Sequence, residues 1–106
     1  MSGLRTITEN DDLLDNVHPG EILREDFLIG DEIPVTEVAK GTGIDAARLD
    51  ELLGGRIPVN ADVDLRLGRY FGMSEGFFLR LQNSYDLEEV RRAQGKELSA
   101  ITRRAA

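Results

Sequence analysis

Between Val35 and Gly55 the chain reads V-T-E-V-A-K-G-T-G-I-D-A-A-R-L-D-E-L-L-G-G. Apolar side chains fall at Val35, Val38 and Ala39, then at Ile44, then at Leu49, Leu52 and Leu53. That is the spacing of two helical inner faces, interrupted at Gly43. Two short helices joined by a glycine-containing turn make a helix-turn-helix, which can set its second helix into a DNA major groove. The charges on that second helix complicate the picture. Arg48 is its one basic side chain, beside Asp45, Asp50 and Glu51.

The flanking sequence supplies three more helices. His18-Pro19-Gly20-Glu21 reads as a helix start, because proline suits the first turn and acids favour the N-terminal end of the helix dipole. Ile22, Leu23, Phe27 and Leu28 follow at helical spacing, with Gly30 as the expected stop. Asp45 is placed to cap the third helix, which Gly54-Gly55 end. Asn60 is placed to cap a fourth, with Leu67, Gly68 and Phe71 on its inner face and Gly72 as its stop. Ser74 is the expected cap of a fifth, where Phe77, Phe78, Leu81 and Tyr85 recur and Gly95 ends the helix near Gln94. The expectation is an all-α fold, a compact bundle of five helices. Residues 1–17 read as a flexible acidic arm, 18–94 as the helix-turn-helix domain and 95–106 as a basic C-terminal tail. A chain of 106 residues fits one domain.

Charge narrows the partners. The formal net charge is −7, which argues against general affinity for nucleic acid. Basic charge gathers at the end, where Arg91, Arg92, Lys96, Arg103 and Arg104 face Glu97 alone after residue 89. An acidic body suits a basic protein partner, since opposite potentials steer encounter; a solvated, soluble surface is the plainer alternative. The sequence has no cysteine and a single histidine, His18. A cysteine-ligated metal site and a disulfide framework are therefore excluded. His18 reads as a helix-start residue rather than a catalyst or ligand. No catalytic residue, metal or cofactor is expected. No apolar run approaches the roughly 20 residues of a membrane span, so a cytoplasmic location is expected.

Four segments carry a resemblance to a known family. They are H-P-G-E-I-L-R-E-D-F-L, the helix-turn-helix, N-A-D-V-D-L-R-L-G-R-Y-F-G and F-F-L-R-L-Q-N-S-Y-D-L. Together, over about residues 18–90, they resemble the HigA family of antitoxins, which belong to the Cro/C1-type (lambda-repressor-like) helix-turn-helix class. The resemblance implies a homodimer that represses its own operon by binding palindromic operator DNA. It also implies a cognate toxin, a small basic mRNA endonuclease of the RelE-like fold. Two positions depart from the pattern. The front of the recognition helix reads Asp45-Ala46-Ala47-Arg48, where relatives commonly carry polar or basic residues. Val35 stands where a glutamine often reaches DNA.

Candidate contacts follow from both readings. Thr36 and Lys40 on helix two, with Arg56 and Asn60 after helix three, are candidates for the phosphate backbone. Arg48 is the candidate base or phosphate reader, with Thr42 and Ala47 completing the set. The competing role for Arg48 is an intrahelical ion pair with Asp45 or Glu51. Glu21, Glu25 and Asp26 are candidate toxin contacts, or a solvated face. Phe78, Leu81 and Tyr85 are candidates for a dimer interface, or for core. Two other functions stay open: a stand-alone transcription regulator of this fold, and a protein-interaction module that has lost DNA binding.

Overall fold

The computed structural model describes residues 14–105, so most of the expected arm, residues 1–13, lies outside the described residues. Helix α1 (Pro19–Ile22) runs directly into a π-helical segment, Leu23–Ile29. Then come α2 (Val35–Thr42), α3 (Ala46–Leu53), α4 (Ala61–Phe71) and α5 (Phe77–Ser99). Every regular element among the described residues is helical, as the periodicity requires. Helix α2 packs on α3 and α4, α1 packs on α3 and α5, and α4 lies against α5.

The core draws one or more side chains from each element, including Leu23, Val38, Leu49, Leu52, Val63, Leu67 and Phe78, all nearly inaccessible. The π-helical segment follows from its apolar spacing. Its i→i+5 bonding widens the turn, which brings residues four and five apart onto one face. Leu23 and Leu28 are both buried, with Phe27 between them making edge contacts to Phe71 (5.0 Å) and Phe77 (6.4 Å). Gly30 is the C-cap that ends this segment, as expected; it keeps right-handed helical angles, and the left-handed residue follows at Glu32 with φ 56°.

Two joints position the helix-turn-helix. At the turn, Gly43 has φ 78°, a conformation that glycine adopts without a Cβ clash. The buried Thr42 hydroxyl donates to Val38 O (2.7 Å) and accepts from Ile44 N (3.1 Å), tying the turn down from within. At the other joint, α1 abuts the end of α3. A Cβ on Gly20 would lie 1.8 Å from the Leu52 carbonyl oxygen, so only glycine allows that approach. His18 Nδ1 accepts from Gly20 N (2.9 Å), making His18 the cap of α1, and its ring meets Tyr85 edge-on at 5.0 Å.

Helix α5 differs from expectation at its start. Ser74 does not cap it with its side chain. The N-cap is Gly76, and the capping group comes from α4: the buried Asp64 carboxylate accepts from Gly76 N (2.7 Å), Phe78 N (2.8 Å) and Leu79 N (3.1 Å). These are donors that a helix leaves without internal partners. At the far end the helix breaks at Gln94 (φ −126°, ψ 27°), as expected, and a second helical stretch carries on past Gly95 to Ser99. Glycine inside a helix costs about 1 kcal/mol relative to alanine, which is a weak stop on its own. Residues 14–17 lie along α5: Asn16 Nδ2 donates to Tyr85 O (2.9 Å) and Glu89 Oε2 (3.1 Å), and Arg92 donates to Leu14 O. No described helix is long and apolar enough to cross a membrane.

Candidate DNA interface

Helix α3 is amphipathic by sequence. Leu49, Leu52 and Leu53 are buried, which leaves Ala46, Ala47, Arg48, Asp50 and Glu51 exposed. Its N-terminus follows the Gly43 turn, with Asp45 as cap. The Asp45 carboxylate accepts from Ala47 N (3.1 Å) and Arg48 N (3.3 Å). Capping holds this acid against the backbone and draws its charge into the helix end.

The ion pair that competes for Arg48 is absent among the described residues. Asp45 is engaged in the cap, and Glu51 pairs with Arg56, Nε to Oε1 at 3.0 Å. Arg48 is left exposed without a carboxylate within salt-bridge distance among those residues. Lys40 is likewise exposed, one turn beyond the exposed Thr36 on α2, which packs against α3. The same pairing reduces the availability of Arg56, whose guanidinium also reaches Asp50 O (3.5 Å). Asn60 is exposed at the α4 N-cap, with Oδ1 accepting from Val63 N (2.9 Å).

Two sequence-based expectations need correction. Thr42 is buried, and its hydroxyl is engaged on both sides within the turn, so it shapes the motif rather than facing a ligand. Phe78 is 1% exposed at the centre of the core and cannot meet a second subunit. Leu81 and Tyr85 are half-buried within their own fold, Leu81 against the core and Tyr85 against His18. The large apolar side chains that α5 exposes lie farther along it, at Leu87, Val90 and Leu98. Glu21, Glu25 and Asp26 are exposed, with Glu25 3.4 Å from Arg24.

Three functional joints escaped the sequence reading. Arg66 on α4 donates from Nη1 to Thr42 O (2.9 Å), fastening the end of α2, while its Nε pairs with Asp62 (3.0 Å). The Asp62/Arg66 spacing of four was the visible signal. Gln82, buried on α5, accepts from Val59 N (2.8 Å) and donates to Asp86 (3.0 Å), pinning the loop between α3 and α4. Asp64 is the third, and its signal was an acid placed on an otherwise apolar face beside Val63 and Leu67. The segments that carry the family resemblance therefore hold these joints: His18 and Gly20, Asp64 and Arg66, and Gln82, Tyr85 and Asp86.

Known proteins share this fold. No protein-family model matches the chain. Over 72 residues the chain is 38% identical to virulence-associated protein I of Dichelobacter nodosus, spanning 68% of this chain and 67% of that protein. Its fold superposes on the Pseudomonas aeruginosa antitoxin HigA, solved with the higBA promoter, with a TM-score of 0.78 and 32% identity. That match covers 87% of this chain and all of the other. An addiction module antidote protein of the HigA family from Coxiella burnetii gives a TM-score of 0.79 at 33% identity, over 86% of this chain and 100% of that one. With the helix-turn-helix, its supporting joints and these similarities in agreement, the chain belongs to the HigA family of antitoxins.

Proposed function

We propose that this protein is the antitoxin of a toxin–antitoxin pair, binding operator DNA as a homodimer and neutralising a small basic mRNA endonuclease of the RelE-like fold. The observation that carries the DNA half is the state of Arg48. It stands exposed on the recognition helix while both nearby acids are engaged elsewhere. The similarity to an antitoxin solved with its promoter supports the same reading. Arg48 reads a base edge or a phosphate, Ala47 offers a methyl group to a thymine methyl, and Thr36, Lys40 and Asn60 hold the backbone. Two recognition helices about 34 Å apart would enter successive major grooves.

A gel-shift titration on the chain's own promoter tests this. Arg48→Ala should weaken binding by about 1–3 kcal/mol if the side chain reads a base, and affinity should fall steeply as salt rises. Unchanged affinity would remove Arg48 from the interface. Dimer contact is proposed at the middle of α5, where Leu87 and Val90 are exposed. The toxin half is supported by the acidic body, and co-purification with the basic protein encoded in the adjoining reading frame tests it.

Asp50 favours a second reading. It is exposed on α3 and pairs with no cation among the described residues, so it meets a phosphate field with the wrong sign. A protein-interaction module without DNA binding would show no promoter retardation at low salt, with or without the partner.

A further inference from the structure

At the corner between the π-helical segment and α2 the surface opens into a groove of about 450 Å³. Ile29, Ile33, Pro34 and Val35 form its apolar floor, with Arg24 and Glu32 at its edges. Ile29 is 58% exposed, a large aliphatic side chain with little of its own fold to cover it. The lining itself holds one acid, Glu32, and one base, Arg24, but the segment that carries it is acidic. Residues 18–37 contain Glu21, Glu25, Asp26, Asp31, Glu32 and Glu37 against Arg24 alone. That arginine already lies 3.4 Å from Glu25. The lip itself is formed at Glu32, a non-glycine residue held at φ 56°. Such conformations carry a backbone cost and concentrate at ligand clamps.

We propose that this groove is where the basic protein partner docks, taking an aliphatic or aromatic side chain that the partner flanks with lysine or arginine. The inference rests on the reading above that the chain neutralises a basic protein, and adds the place and chemistry of contact. The apolar floor supplies the desolvated anchor that dominates interface energetics, and Glu32 with the acidic segment that carries the groove supplies steering and register. Val35 opens α2, and the candidate phosphate contact Thr36 follows it, so the bound partner and operator DNA meet at one helix end.

The test uses the full chain and the purified basic protein of the adjoining reading frame, titrated by calorimetry. Ile29→Asp places a charge on the groove floor, and Glu32→Arg reverses the one acidic charge of the lining. Each should weaken binding about tenfold or more, while Ile101→Asp, on an exposed side chain near the C-terminus, should leave affinity unchanged. Glu32→Arg keeps the test valid should Ile29→Asp misfold, which a thermal melt would reveal. Wild-type affinity in both groove variants overturns the groove and leaves the toxin reading standing. Failure of the wild-type chain to bind overturns both.

Discussion

A buried carboxylate such as that of Asp64 is tolerated because three backbone N–H groups at the start of α5 point at it. Removing it strands those donors where water cannot replace them. Asp64→Ala should lower unfolding free energy by about 3 kcal/mol, read from urea denaturation. Asp64→Asn should lose less, since one amide oxygen can keep the Phe78 and Leu79 bonds while only the Gly76 donor faces an NH₂. His18 makes a pH prediction. Burial holds its pKa below the ordinary 6.5, with Asp86 opposing weakly, and Nδ1 must stay unprotonated to accept from Gly20 N. The unfolded chain therefore binds the proton more tightly than the folded one. Its contribution is fully present above about pH 6.5 and is lost as pH falls through the lower folded value. Denaturation midpoints of wild type and His18→Ala should converge over that window; a constant gap would refute the cap's titration.

At the scale of elements, the helix-turn-helix was legible because its signals are local. Apolar residues three and four apart, a glycine at the turn and Asp45 at the cap all lie within a few residues of what they control. Asp45→Ala separates two roles of that cap. It should cost about 1 kcal/mol of stability by freeing the Ala47 and Arg48 donors. It also removes an acid from the end proposed to face DNA, so promoter affinity measured on folded protein should hold or rise. A drop in affinity would mean that the cap orients Arg48. The start of α5 was not legible for the opposite reason. Its N-terminal donors are satisfied by a residue on another helix, and no local rule announces that. The break at Gln94 was legible, one residue before Gly95; the helical stretch beyond it was not, since a glycine costs too little to stop it.

For the whole molecule, the decisive question is which surfaces the fold leaves uncovered. Leu87 and Val90 are 57% and 43% exposed on α5, beyond the reach of the core. If two copies meet there, Leu87→Asp should shift the protein from dimer to monomer in sedimentation without lowering its thermal stability as a chain, and operator affinity should fall with the lost second half-site. A dimer that persists would move the interface elsewhere. Sequence alone determined the helical class, the helix-turn-helix and the acidic character, because periodicity, turn chemistry and net charge are properties of neighbouring residues or of plain composition. It also placed Arg48 at the front of α3. Only the tertiary structure decided that Arg48 is free of its neighbouring acids, that Thr42 and Phe78 face inward, and that Asp64 and Gln82 are joints. The Asp64 and Gln82 joints depend on groups brought together across 12 or 23 residues of chain. Burial and pairing at such range are fixed by how the helices pack, and a linear pattern carries no measure of that distance.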